Sequence, residues 1–275
     1  MWYKGGADAD MMRSLVISLC SAFVWVAPLQ AATLWAAGVS GEAGWYDFNK
    51  TFKRGDSGDD LLCWAVAASN LLAWWQDQNA KLVPQGTPTG EKVWFTFREA
   101  FENEGSDPDQ GIRWWFSGQY VQQNPGDGFR CAAIRNESLG GFYRSAGPEP
   151  EQLLYNGRGA DVTADSLTAV LLRGFGRGDA FWLGASCRRP NGSRFMHSIN
   201  VWGIDVETGA DGQLQITAIY MCDSDDRTRQ LHRIPIQREQ GMLAFHCPEH
   251  PLYGRLGLVT LDTYTGMRVQ PVECD

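Results

Sequence analysis

An α+β fold is predicted from three observations: helical periodicity is confined to the first two thirds of the chain, β-type alternation dominates the last third, and no internal repeat or low-complexity linker separates them. The 275 residues suffice for one large domain or two modest lobes with a substantial core. Composition agrees, with 44% hydrophobic and 20% charged residues and no block of like charge of the kind found in disordered tails. A formal net charge of -8 argues against a surface built to neutralise phosphates or anionic lipid, so nucleic acid is not an expected partner.

Taken in order, the first feature is the sustained apolar stretch from Leu15 to Val26, preceded by Arg13 and followed by Pro28, Leu29, Gln30, Ala31 and Ala32. A positive flank, a short apolar centre and small residues beyond it describe a secretory signal peptide, too short for a comfortable membrane span. Cleavage is expected near Ala31. Residues 1–31 are then upstream residues and signal peptide, and 32–275 form a single domain that is secreted or periplasmic, with no membrane contact after cleavage. An uncleaved anchor or a buried helix is the alternative. Met11 and Met12 stand directly before the segment and offer a later start. Export puts Cys63, Cys131, Cys187, Cys222, Cys247 and Cys274 in an oxidising space. If Cys63 stays free, the other five allow two disulfides and one thiol, or all are plain buried thiols; spacing does not fix the pairing.

Gly44 to Gly58 alternates aromatic and polar residues among Gly and Asp, and reads as a strand or extended entry followed by a loop. The clearest helix runs from Leu61 to Gln78, free of Pro and Gly, with Trp64, Ala67, Ala68, Leu71, Trp74, Trp75 and Gln78 at helical spacing and Asp59 or Asp60 available as cap. Between Pro84 and Pro150 a helical Trp94 to Asn103 and an aromatic Ile112 to Phe116 are separated by loop-type clusters of Gly, Pro and Asp, and this region is expected to form cleft walls. A second helix is expected from Asp165 to Arg173, capped by Thr163 or Asp165 and ended by Gly174. Strands are expected at Ala180 to Ala185, Phe195 to Val206, Leu214 to Cys222 and Leu256 to Leu261.

The chemistry starts at Cys63. A cysteine in the first turn of a helix has its thiolate stabilised by unpaired N–H groups and by the helix dipole. Many cysteines there are simply core, so a base must be found. His197 lies in a strand-like run and follows Cys63 by 134 positions, the range in which papain-type enzymes carry their base. Thr208-Gly209-Ala210-Asp211-Gly212 is a turn signal between two strands, and a turn centred on Ala210 sets His197 opposite Asp223 and Phe195 opposite Asp225. A carboxylate on one imidazole nitrogen fixes the tautomer and leaves the other nitrogen for the thiol. The alternative for Asp223-Ser224-Asp225-Asp226 is a solvated acidic turn or a weak calcium loop.

These residues also carry a family resemblance. Gly44-Trp45-Tyr46-Asp47, Lys50-Thr51-Phe52, Asp59-Asp60-Leu61-Leu62-Cys63, Asn70, Trp74-Trp75 and Asp77-Gln78-Asn79 closely resemble the active-site segment of the IdeS/Mac family of secreted bacterial immunoglobulin-degrading cysteine peptidases. His197, Ile199-Asn200, Trp202-Gly203, Ala218-Ile219-Tyr220 and Asp223-Ser224-Asp225 resemble its histidine and aspartate segments, in the same order and spacing. Two positions depart from the pattern: Trp64 after the nucleophile is closer to the Cys-Trp of papain and cathepsins, and Ala73 stands where the family has a histidine.

The resemblance implies a papain-like cysteine peptidase fold, with a helical lobe near 44–175 carrying the cysteine and an antiparallel β lobe near 176–275 carrying His and Asp. It implies Cys63 as nucleophile, His197 as general base and acid, and Asp223 as the group orienting His197. Lys50 would contribute to the oxyanion hole, and Asp225 would support Lys50 or the histidine loop. The implied activity is hydrolysis of peptide bonds in a protein substrate, with immunoglobulin as the target and no cofactor. The same constellation would also serve a glutamine deamidase or transglutaminase, or persist in a silent host-protein-binding decoy.

Other features are weaker. His246-Cys247-Pro248-Glu249-His250 holds metal-type ligands, but Pro248 argues against a helical ligand face. His232 has no partner apparent in the sequence. The tryptophans at 74, 75, 94, 114 and 115 fit either a groove or the core, and Ile112 to Gly118 is the best candidate for a cleft wall.

Overall fold

The computed structural model describes residues 31–52, 54–55, 58–120, 132–188, 193–248 and 253–272. The signal-like segment, Cys20, Cys131, Cys274, Glu249 and His250 lie outside them.

The architecture is α+β, as expected. Helix α1 (Cys63–Gln78) is buried without interruption from Trp64 to Gln76, unlike a surface helix with one apolar stripe. It is enclosed by α2 (Glu91–Ala100) and α3 (Pro108–Ser117) on one side and by sheet strands on the other. Trp64, Trp74, Trp75, Trp114, Trp115, Phe97, Phe101 and Phe116 are all almost fully buried there. Many meet edge to face, as Trp64 does with Phe101 at 5.0 Å and Trp75 with Phe116 at 5.2 Å. The tryptophans at 74, 75, 94, 114 and 115 are therefore core. Ile112 to Phe116 is not a cleft wall; it is helical and faces inward.

A short helix α4 (Pro150–Leu153) follows, then α5 (Ala164–Arg177), which is capped by Thr163 in a reciprocal capping box with Ser166. Gly174 does not end α5. It sits inside, because a Cβ there would lie 2.3 Å from the Phe181 ring, and the left-handed Gly178 (φ 82) closes the helix instead. Likewise α2 starts and ends three residues before the expected Trp94 to Asn103, since Phe101 leaves the helix to bridge with Ile134.

The sheet has nine antiparallel strands: β1 (Ala32–Trp35), β2 (Leu154–Arg158), β3 (Ala180–Arg188), β4 (Arg194–Thr208), β5 (Leu214–Cys222), β6 (His232–Pro235), β7 (Gln237–Glu239), β8 (Met242–Phe245) and β9 (Val259–Met267). The main order is β6-β5-β4-β3-β9-β8-β7, with β1 added on β4 and β2 on β9. Strand β9 is the element misplaced by the sequence reading, which set it at Leu256 to Leu261. Strand β2, within 44–175, pairs with β9, so residues of both approximate ranges, 44–175 and 176–275, share one sheet, and β1, from before residue 44, adds to β4.

The β4–β5 hairpin forms as expected but in a different register. Asn200 pairs with Cys222 and Thr208 with Leu214, and two bulges interrupt the ladder, between Val201 and Gly203 and between Asp205 and Val206. His197 and Asp223 are thus not directly opposed. The pairing is shifted by two residues from that expectation at both ends of the hairpin, and Asp223 lies directly after the end of β5 at Cys222.

Candidate active site

Cys63 is the first residue of α1, and Leu62, at the cap position, makes no side-chain cap bond. Neither Asp59 nor Asp60 caps the helix. Asp59 accepts from the Thr51 N–H (2.7 Å) and hydroxyl (2.8 Å), and the Asp60 carboxylate accepts from Asn103 at 2.6 Å. First-turn N–H groups have no intrahelical partner. Here they open beside Cys63 into a cleft of about 390 Å³.

The cleft lies between α1 and the sheet. Lys50, Asp60, Leu61, Cys63 and Trp64 line one side with Gly105, Ser106 and Asp107, and Trp182, Ala185, Phe195, Met196, His197, Asp262 and Thr263 line the other. The 103–107 wall falls within the Pro84 to Pro150 region expected to form cleft walls, but on a loop rather than at Ile112 to Gly118. It is tied to the nucleophile segment by the Asn103 carboxamide oxygen, which accepts from the Leu61 N–H at 2.9 Å, and by the Trp64 indole N–H, which donates to the Glu104 carbonyl at 2.9 Å. Arg158 pairs with Asp107 at 2.6 Å behind the wall.

The structure brings all five predicted residues together. His197 Nε2 donates to Asp223 Oδ1 at 2.6 Å, which leaves Nδ1 for Cys63, to which the imidazole is also hydrogen-bonded. Asp223 Oδ1 additionally accepts the Asp225 backbone N–H at 2.9 Å. Lys50 Nζ meets Asp225 Oδ1 at 2.7 Å and donates to the Asp60 carbonyl at 2.8 Å. Asp225 therefore belongs chiefly to Lys50, because its carboxylate is 3.9 Å from His197 Nε2. Asp223, Ser224 and Asp226 are buried, which rules out the solvated acidic turn.

Burial is the largest single influence on Cys63, His197 and Lys50, and it opposes charge. For Cys63 burial pushes the thiol up, but the hydrogen bond and charge of His197 and the charge of Lys50 outweigh it, and the net shift is downward. For His197 burial pulls the imidazole down, while Asp223 and then Cys63 lift it well above 6.5. Lys50 behaves alike: burial lowers it, and Cys63 and Asp225 together raise it. The arrangement favours thiolate and imidazolium side by side.

The lead-in segment 44–52 forms no strand, the first of the two expected alternatives, and serves as a bracket. Phe48 N–H donates to Asn70 on α1 at 3.0 Å, Asn70 donates to Asn200 on β4 at 2.9 Å, and Asn200 returns to the Ala67 carbonyl at 3.0 Å. Lys50 N–H reaches the Ser224 carbonyl at 3.2 Å, and Asp47 accepts from the Gln230 N–H at 2.9 Å. Phe52 and Arg227, both at positive φ (59 and 63), meet with the guanidinium 4.7 Å from the ring centre, and Lys50 Nζ lies 5.4 Å from the same ring. His232 pairs with Asp226 at 2.7 Å.

Tyr253 was also missed. It is fully buried on a short 3-10 turn before β9, and its ring stands edge to face with His197 at 6.3 Å. No helical or strand periodicity marks such a turn, so nothing in the sequence singled it out. Among the described residues, the group of metal-type ligands that converges is His197, Asp223 and Asp225, within 4.8 Å of one another, and these are the candidate catalytic side chains themselves. Exposed His246 takes no part. No described helix is long and apolar enough to cross a membrane.

Comparisons with known proteins agree with the resemblance. Residues 30–89, which contain Lys50 and Cys63, match the Mac-1 family model, described as Mac 1. An IgM protease of Streptococcus suis (strain P1/7) is 25% identical over 230 residues, covering 71% of this chain and 19% of that protein. The chain thus spans about a fifth of the length of that relative. The likeness to the Mac family read from the sequence is borne out by both.

Proposed function

We propose that the chain is a secreted, papain-like cysteine endopeptidase acting on a protein substrate, with immunoglobulin as the target class. The observation that carries the reading is the convergence of Cys63, His197, Lys50 and Asp225 on one cleft, with Asp223 buried behind His197 and bonded to it. The similarity to a protein named IgM protease supports the immunoglobulin target, and the signal-like segment at Leu15 to Val26 supports export.

In this mechanism the Cys63 thiolate attacks the scissile carbonyl carbon, and the carbonyl electrons move to oxygen. The Cys63 N–H and the Lys50 ammonium hold that oxyanion, in a site where they are already oriented. Nδ1–H of His197 protonates the departing amine as the C–N bond breaks, leaving a thioester on Cys63. The neutral imidazole then takes a proton from water, hydroxide adds to the thioester, and the acid product leaves with the thiolate restored. Asp223 holds Nε2–H throughout and stabilises the imidazolium.

The test is incubation of IgM, other immunoglobulin classes and an unrelated protein panel with the reduced protein and with Cys63→Ala, followed by mass measurement. Discrete fragments from the wild type alone are expected. Cleavage that persists in Cys63→Ala sinks the mechanism, and a gain of about one mass unit per modified glutamine without chain scission assigns deamidation instead.

A further inference from the structure

We infer that Asn103 is a positioning residue of the oxyanion site, acting through the peptide that joins Asp60 to Leu61 and, beyond it, through Lys50. The inference rests on the cysteine peptidase reading. An ammonium carries three N–H bonds in a tripod, so fixing the acceptors of two of them fixes the direction of the third. For Lys50 those two acceptors are Asp225 Oδ1 at 2.7 Å and the Asp60 carbonyl at 2.8 Å. Lys50 and Cys63 both line the cleft, so how well the third N–H points at the oxyanion depends on how firmly that carboxylate and that carbonyl are held.

The Asp225 carboxylate is held by its neighbour, the Ser224 hydroxyl, which donates to Oδ1 at 3.0 Å. The Asp60 carbonyl lies in the turn that enters α1 without a side-chain cap. A trans peptide is planar, and its C=O and N–H leave opposite edges of one rigid plane. Lys50 takes the carbonyl edge of the plane between Asp60 and Leu61. Asn103 takes the other, its carboxamide oxygen accepting from the Leu61 N–H at 2.9 Å. The carboxamide is locked in turn at its nitrogen, which donates to the Asp60 carboxylate at 2.6 Å and to the Gly55 carbonyl at 3.1 Å. Flipping the amide would set its oxygen against two acceptors and its nitrogen against a donor, so the orientation is fixed by the partners themselves. Asn103 thereby grips both the backbone and the side chain at the point where the carbonyl aims the ammonium. The cleft is lined by Asp60 and Leu61 but not by Asn103, so its influence on the reacting atoms is indirect. The neighbouring wall has ties of its own: the Trp64 indole donates to the Glu104 carbonyl at 2.9 Å, and the Ala132 N–H donates to the Gly105 carbonyl at 2.9 Å.

Asn103→Ala removes the carboxamide and leaves those ties. Two reactions of Cys63 separate aiming from folding, and neither needs a protein substrate. In the first, the thiolate adds to the carbonyl of p-nitrophenyl acetate, the electrons move to oxygen, and collapse expels p-nitrophenolate and leaves a thioester on Cys63; the rate is read as the nitrophenolate burst that Cys63→Ala lacks. The second is alkylation by iodoacetamide, which forms no oxyanion. The expected result is acylation slowed about ten- to a hundredfold, while the alkaline plateau of iodoacetamide labelling stays within about twofold of the wild type. A residue that only held the fold together would slow both reactions alike, and that result overturns the proposal, as does acylation at the wild-type rate. Asn103→Ser, the milder truncation, is judged by the same two rates if the alanine variant does not fold.

A double-mutant cycle with Lys50→Met tests the route. Without an ammonium to aim, adding Asn103→Ala slows acylation no further. An additional loss as large as in the wild-type background also overturns the proposal. Failure of the underlying reading has a different signature, namely a wild type without a Cys63-dependent burst, or IgM cleavage by Cys63→Ala.

Discussion

Replacing Lys50 with methionine isolates what the ammonium does, because the two side chains are similar in length and only the charge is lost. The Lys50 side chain is 1% exposed and its ammonium makes two contacts, to Asp225 at 2.7 Å and to the Asp60 carbonyl at 2.8 Å. One N–H remains to face the cleft that Lys50 lines. A donor aimed at a developing oxyanion contributes roughly 3–4 kcal/mol, so kcat should fall about 10²- to 10³-fold. Folding should suffer less. Asp225 loses its cation but keeps the Ser224 hydroxyl at 3.0 Å and 15% side-chain exposure, which places the cost between about 1 kcal/mol for a surface pair and about 3–5 kcal/mol for a buried one. The assay compares proteolysis with iodoacetamide labelling of Cys63. Lys50 helps to lower the thiol, so labelling should shift to higher pH in the variant while its plateau, where the thiol is fully ionised, stays put. Alkylation has no oxyanion to stabilise. A plateau that drops by the same factor as cleavage, or cleavage that survives, would refute the assignment of Lys50 to the oxyanion.

Asp223→Asn should depress labelling at neutral pH, because the imidazolium loses its anionic partner; an unchanged rate would separate Asp223 from the thiol. Asn70→Ala removes the link among the lead-in segment, α1 and β4, leaving the Phe48 N–H and the Asn200 side-chain oxygen unpaired, and should cost about 2–4 kcal/mol in urea unfolding. Gly174→Ala drives a methyl to 2.3 Å from the Phe181 ring and should cost about 1–3 kcal/mol, measured the same way. Asp47 gives a pH prediction. Burial, opposed by the Gln230 N–H and reinforced by the charges of Asp226 and Asp223, raises its carboxyl from 3.8 to about 8. The native state then binds more protons than the unfolded chain between those values, so stability is fully present below about 4 and declines as pH rises through 8. Asp47→Asn should be more stable than the wild type at pH 9, with the difference shrinking toward pH 4.

The sequence was most informative where chemistry and periodicity coincide. Cys63 could be placed at the head of α1 because the helix runs without Pro or Gly, and His197 on a strand because its neighbours alternate. The register was harder. Counting from Ala210 misplaces the turn: Thr208 pairs with Leu214, which centres it on Asp211, and the two bulges, one residue in β5 and one in β4, cancel, so the same two-residue offset reaches Asn200 and Cys222. His197 and Asp223 still meet because the chain leaves β5 at Cys222 and folds its carboxylate back. The cap was misread because Asp59 and Asp60 are occupied by Thr51 and Asn103, partners 8 and 43 positions away. Composition alone could not tell a wall of the cleft from the core, so Ile112 to Phe116 was placed on the wrong side. Tyr253 and the 103–107 wall lie on irregular backbone, where only tertiary contacts give a residue its role.

The order of the strands has a consequence for synthesis. Cys63 leaves the ribosome long before His197, and β3 cannot take its place between β4 and β9 until the last strand, residues 259–267, has been made. Pairings of such large sequence separation form late. Until then His197, 134 positions later, has no completed sheet to hold it beside Cys63. In the proposed peptidase, reactivity would arrive with completion of the polypeptide, so the nascent chain would carry its nucleophile unarmed through the compartment that makes it.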